Sequence, residues 1–291
     1  MQARAPSVAR AALWMIGCLF AFSMMAIAGR EVSSALTTGE LLTWRSLIGA
    51  PVMAIIVLAT GRRHELVHAR YPLHLARNIF HFTGQYCWFF ALTLIPLAQL
   101  FALEFTSPIW VAILAAVFLG ERFTLGKGLA IVFGFAGVLL VARPDAAGVD
   151  VGQLWALVAA VFFASQMITT KKLTQTDSVV IILFIMTVMQ AIIGIMVIAG
   201  LPSLPADAPT AGWLVALALA SLCAHFALTQ AFTYADATVV VPMDFFRLPL
   251  IALVGVAFYS EPLEPLILAG GLLIFIGNFA NIWLSQRSAA R

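Results

Sequence analysis

Residues 96–121, PLAQLFALEFTSPIWVAILAAVFLGE, hold about 23 apolar residues, enough to cross a bilayer, with one carboxylate, Glu104, set among them. A shift of 140 positions lays Glu104 on Asp244, Phe105 on Phe245, Gly137 on Gly277 and the closing Glu121 on Glu261. Two stretches that each carry an acid inside the same hydrophobic run, closed by the same Glu, form an internal repeat. Both copies read as membrane segments.

Composition agrees. With 63% hydrophobic residues, 10% charged residues and a mean hydropathy of +1.03 over 291 residues, the chain has too little polar side chain to cover a water-soluble globule. The apolar runs are continuous rather than alternating, which indicates helices and excludes an outer-membrane barrel. The N-terminal MQARAPSVARAALWMIGCLF has the basic lead of a secretory signal, but its apolar run continues to Gly29 without an A-x-A-like cleavage site. It reads as a first spanning helix. Cys18, Cys87 and Cys223 lie in three different apolar segments and read as packing residues rather than disulfides or metal ligands.

Hydropathy places ten spans near 11–29, 39–60, 78–95, 97–119, 125–142, 153–170, 178–200, 212–234, 237–259 and 265–284. The expected fold is therefore all-α integral membrane, ten transmembrane helices in a 5+5 inverted repeat, with the first five-helix repeat over 1–146 and the second over 147–291. Five spans per copy is odd, so the second copy enters from the opposite face, and a pseudo-twofold axis lies in the membrane plane. With the N-terminus inside, twelve of the sixteen basic residues fall on the inner face, only Arg30 and Arg143 on the outer, and Arg45 and Arg247 within spans. Positively charged loops stay cytoplasmic, so both termini are expected there. The pI of about 9.0 is then a matter of topology and calls for no nucleic acid.

Charges inside hydrocarbon are expensive and must face protein or water. Arg45, Glu104, Asp244 and Arg247 sum to zero. Counting rise from the span ends gives Arg45 and Glu104 similar depths, which makes them expected partners across spans two and four. Asp244 and Arg247 are three apart on one helix, where side chains meet. These residues read either as structural ion pairs or as a substrate path and a site for a coupling proton. His81 and Gln85 in span three and His225 in span eight are candidate cavity residues, Gln85 aligning with His225 at an offset of 140. Trp88 and Phe105 head a set of rings (Tyr86, Phe89, Phe90, Trp110, Phe226, Phe232, Phe245, Phe246) suited to a planar or partly aromatic solute. Pro108 and Pro249 are expected to kink spans four and nine, and Gly134, Gly137, Gly270, Gly271 and Gly277 to let helices approach closely. Glu121 and Glu261 read as helix-ending or interfacial. No phosphate loop, nucleophile elbow or metal-ligand spacing occurs, so neither an enzyme, a cofactor nor a metal is expected.

Ten spans in two copies, each with an aromatic-rich third span, a fourth span with an internal proline, a closing Glu and a glycine-rich fifth span, resemble the EamA-type drug/metabolite transporter superfamily. The second copy is looser, with FYSEP for FLGER and Asp236 for Pro96. The resemblance implies a central cavity between spans three, four, eight and nine, and a small-molecule solute crossing a bacterial inner membrane. HFTGQYCWFFALTLIPLAQ is most similar to riboflavin and S-adenosylmethionine importers of that superfamily. The alternatives are an exporter of amino acids or toxic metabolites and a membrane scaffold that transports nothing.

Overall fold

Long apolar runs satisfy their backbone groups in lipid only as helices, and every regular element among the described residues is helical. The computed structural model describes residues 7–119, 125–143, 150–173, 176–235, 240 and 243–289. In order they form α1 (Val8–Val32), α2 (Thr38–Ala59), a 3-10 turn (Arg62–His68), α3 (Tyr71–Leu92), α4 (Leu97–Glu104), α5 (Ser107–Leu119), α6 (Leu125–Ala142), α7 (Val151–Leu173), α8 (Val179–Val197), α9 (Ala208–Tyr234), α10 (Arg247–Tyr259) and α11 (Pro265–Ala289). Caps fix several starts: Ser7 accepts from Arg10 N–H at α1, Thr37 and Glu40 form a reciprocal capping box at α2, and Asp207 accepts from Thr210 N–H at α9.

Seven of these helices (α1, α2, α6, α7, α8, α9 and α11) contain stretches long and apolar enough to cross a membrane. The expected spans do not all form as single helices. The span expected over 97–119 is two helices, α4 and α5, parted by a turn at Phe105 and Thr106. In the other copy a turn at Phe245 and Phe246 precedes α10. α5 and α10 start and end 140 positions apart, so the repeat fixes the place of the break as well as the residues around it. The prolines do not kink a continuous rod. Pro108 and Pro249 lie in the first turn of α5 and α10, where a missing N–H costs nothing. The carbonyls freed at the first break find donors: Thr106 Oγ1 to Leu103 O at 2.7 Å, Ser107 Oγ to Glu104 O at 2.7 Å, and Asn278 Nδ2 of α11 to Phe105 O at 3.0 Å.

The helices pair as α1 with α9, α3 with α7, α2 with α8 and α6 with α11. The α6–α11 seam rests on small residues. A Cβ added to Gly137 would stand 2.5 Å from Gly270 O, and one on Gly270 would stand 2.6 Å from Gly137 O. Shifted by 140, the Gly137–Gly270 contact becomes Gly277 against Ala130, and a Cβ on Gly277 would indeed meet Ala130 O at 3.2 Å.

Two expectations at the helix ends need correction or sharpening. Arg77, counted with the basic connector 61–77, is buried within α3, where it donates to Thr170 Oγ1 and Asn78 Oδ1; the helix begins at Tyr71 because its polar residues face protein rather than water. Glu261, just past α10, ties helix ends together: it pairs with Arg30 and accepts from Leu97 N–H at 2.8 Å, while Arg30 also donates to the carbonyls of Leu92 and Ile95. Glu121 lies outside the described residues. The three cysteines are free thiols, Cys18 and Cys87 buried and Cys223 exposed.

Candidate functional site

The nine candidate residues come from five regions: Arg45 from α2, His81, Gln85 and Trp88 from α3, Glu104 and Phe105 from the first break, His225 from α9, and Asp244 and Arg247 from the second break. They gather into two neighbouring groups. Positions 81, 85 and 88 follow helical spacing, so α3 presents three polar or aromatic groups along one face, and all three are buried.

The first group centres on Arg45, which is 5% exposed. Its Nη2 donates to Gln85 Oε1 at 2.7 Å and to Gln190 Oε1 of α8 at 2.6 Å. Gln190 Nε2 stands 2.9 Å from His81 Nδ1, and the His81 and His225 rings meet edge to face at 5.6 Å. Arg45 Nη1 is buried without a hydrogen-bond partner among the described residues. A cavity of about 10 Å³ adjoins this group, between α2, α8 and α9, lined in part by Ser46, Thr187 and Ser221.

The second group centres on Arg247, 5% exposed at the first position of α10. Its Nη2 donates to Asp244 Oδ2 at 2.8 Å, and its Nη1 stands 3.3 Å from Glu104 Oε1. Trp88 Nε1 donates to Glu104 Oε2 at 2.8 Å. Rings of Phe22, Phe101 and Phe105 surround the guanidinium carbon at 4.5, 5.2 and 5.0 Å. Arg247 sits at the positive end of its helix and Glu104 at the negative end of α4, so each is disfavoured by its own helix dipole. Each relieves the other, which gives the pair a reason to form across the breaks.

The expected Arg45–Glu104 pair is thus overturned: Glu104 pairs with Arg247, and among the described residues the side-chain partners of Arg45 are neutral amides. Depth arithmetic assumed continuous rods; with both helices broken, the two acids and Arg247 meet at the ends of half-helices. Gln190 and Phe22 belong to the site and were not among the expected residues. Gln190 had a visible signal, as the one amide in the apolar run of α8. Phe22 had none, being one ring among many in α1. Of the expected rings, Trp88, Phe89 and Phe105 are buried, Phe105 stacks against Phe245 at 4.7 Å, and Phe226 and Phe246 turn outward. The side chain of Phe232 lies outside the described residues.

A helical bundle with helices broken at matching places, and buried charges gathered at the breaks, defines a polytopic membrane protein of the transporter class. The chain belongs to the EamA-like transporter family, two copies of which match residues 9–143 and 150–283. It is 28% identical over 262 residues to the pseudopaline exporter of Pseudomonas aeruginosa, covering 90% of this chain and 92% of that one. It is 29% identical over 257 residues to a riboflavin transporter of Rhizobium johnstonii (86% and 83% covered), and 24% identical over 278 residues to an S-adenosylmethionine uptake transporter of Rickettsia felis (96% and 94% covered). A solved crystal structure superposes with a TM-score of 0.65 at 20% identity, covering 97% of this chain and 99% of the other, a likeness of fold. Family and relatives are transporters, not enzymes.

Proposed function

We propose that the chain is a secondary transporter of a small organic metabolite in the bacterial inner membrane, with riboflavin or S-adenosylmethionine uptake as the leading reading. The observation that carries it is the pair of buried polar groups joined along one face of α3, charges that serve a helical bundle poorly as glue and well as a pathway. Nine of the expected spans correspond to single helices or their remainders, and α4 with α5 makes the tenth passage. The two matched copies, the shared offset of α5 and α10, and the reciprocal glycine contacts all support a 5+5 inverted repeat divided near residues 146 and 147. Both termini are then cytoplasmic, and exchange of conformation between the copies gives alternating access. Arg45, His81, Gln85, Trp88, Glu104, Phe105, His225, Asp244 and Arg247 line the path, with Glu104 or Asp244 as the site of any coupling proton.

The pseudopaline exporter among the relatives supports a second reading, export of an amino-acid-like metabolite. Purified protein in proteoliposomes separates the two. Labelled riboflavin and S-adenosylmethionine, offered outside or preloaded inside, with and without a pH gradient, are expected to move in one direction faster than in empty vesicles. Movement of neither solute in either direction counts against both uptake candidates. Normal growth phenotypes and partner binding after joint removal of all four buried charges would instead favour a scaffold.

A further inference from the structure

We propose that the solute is a zwitterion, its anionic group received by Arg45 and its cationic group by Asp244, an inference that rests on the transport reading above. The first observation is a buried cation that has no counter-ion among the described residues. Arg45 stays charged at any physiological pH, its side-chain contacts are amide oxygens, and Nη1 has no partner among the described residues. Arg77, also buried on α3, forms no ion pair among the described residues and adds positive potential on the same side. A guanidinium buried in this condition is costly, and an anionic group on the solute removes that cost.

The second observation is independent and has the opposite sign. Glu104 and Asp244 share one guanidinium, Arg247, so two carboxyl groups face a single cation. Asp244 Oδ1 is buried without a hydrogen-bond partner among the described residues, while Oδ2 is held by Arg247. The free oxygen fits an ammonium or another cationic group.

Both poles are reached from one helix face. Arg45 touches α3 at Gln85 and Glu104 touches it at Trp88, three residues or about 4.5 Å of rise further along. Between them stand the edges of His225 and Phe22, whose rings meet at 5.7 Å. A small molecule with an anionic end, a cationic end and an apolar or planar body meets all three. A neutral planar molecule such as riboflavin meets only the body, and would leave both charges unanswered. The cavity beside Arg45 is no larger than a water molecule, so a solute reaches Nη1 only as α2, α8 and α9 part. Binding at Arg45 is thereby tied to helix movement.

The test uses purified full-length protein in detergent, with the thermal unfolding midpoint as readout. The probes are S-adenosylhomocysteine, methylthioadenosine, which has the same ring system without the amino-acid group, riboflavin, and sodium chloride. S-adenosylhomocysteine is expected to stabilise the wild type well above the other three. Arg45→Gln and Asp244→Asn should each weaken that effect about 10- to 100-fold in apparent affinity, the range for losing a charged hydrogen bond. Arg45→Lys, which keeps the charge, should retain most of it and guards against a folding defect in Arg45→Gln. Equal stabilisation by methylthioadenosine or riboflavin, or none by S-adenosylhomocysteine, overturns the zwitterion. Equal stabilisation by chloride assigns Arg45 to a structural anion and overturns it too. The transport reading fails separately: wild-type protein that binds S-adenosylhomocysteine yet moves no solute across a vesicle keeps the site and loses the transporter. Riboflavin moving equally well in wild type and Arg45→Gln does the reverse.

Discussion

Glu104 holds two partners, the indole N–H of Trp88 and the Arg247 guanidinium. Its removal leaves Arg247 with Asp244 alone, and a double-mutant cycle reads that loss directly. Glu104→Gln and Arg247→Gln are expected to couple by about 0.5–3 kcal/mol in unfolding free energy, whereas Glu104→Gln and Arg45→Gln should be additive. Strong coupling to Arg45 would mean that the two groups are one. Trp88→Phe isolates the other contact, since it keeps the ring and deletes the donor. Protein abundance should stay near normal and the apparent transport constant should rise; unchanged transport would make Trp88 mere packing. At this scale the sequence was half legible. That Arg45, Glu104, Asp244 and Arg247 matter follows from the cost of charge in lipid, but who pairs with whom depends on where helices end, and hydropathy cannot see a helix end inside an apolar run. The Asp244–Arg247 pair was visible because it is local, three residues along the chain. The Glu104–Arg247 pair spans 143 positions and was not.

The broken helices show what an element needs in order to stop inside a membrane. A turn at Phe105 and Thr106 frees carbonyls that lipid cannot satisfy, and the chain supplies Thr106, Ser107 and, from a distant helix, Asn278. Asn278→Ala therefore removes the donor that, among the described residues, reaches Phe105 O from outside the break. It is expected to cost about 1–3 kcal/mol, the penalty of a buried acceptor left unpaired, seen as a lower unfolding midpoint. Asn278→Asp, which cannot donate when ionised, should be at least as harmful. No change in either variant would mean that Phe105 O finds another donor. Pro108 and Pro249 marked these places in the sequence, and the expected kink was the right location with the wrong geometry. A proline in the first turn of a half-helix and one in the middle of a rod look alike in a hydropathy trace; the Thr-Ser pair before Pro108, ready to cap carbonyls, was the distinguishing sign. The seam of α6 with α11 was more legible. Gly137→Val would push a side chain into the backbone of Gly270, and should lower folding yield far more than Gly17→Val in α1, where an added Cβ meets nothing within 4 Å.

Across the whole molecule the split of basic residues is the support for the proposed orientation, and with Arg77 moved into α3 it still stands at eleven to two. A cysteine introduced at Ser203, exposed between α8 and α9, is expected to react with an impermeant thiol reagent added to whole cells, and one introduced at Arg63, exposed in the 3-10 turn, is not. The reverse pattern would invert the topology. On that orientation the Arg30–Glu261 pair lies at the outer end. Arg30 ends α1, Glu261 follows α10, and Glu261 also holds the N-terminus of α4 through Leu97 N–H. The same three elements carry Phe22, Arg247 and Glu104 deeper in the bundle, so one ion pair ties shut the end above the acidic pole. If the solute passes there, α1 and α10 must separate. A protein carrying Arg30→Cys and Glu261→Cys, with exposed Cys223 replaced, should transport in the reduced state and stop when a short bifunctional thiol reagent joins the pair. Recovery on cleaving the link excludes general damage. Undiminished transport in the linked protein would show that the path does not open between α1 and α10, and that Arg30 and Glu261 only fasten the bundle.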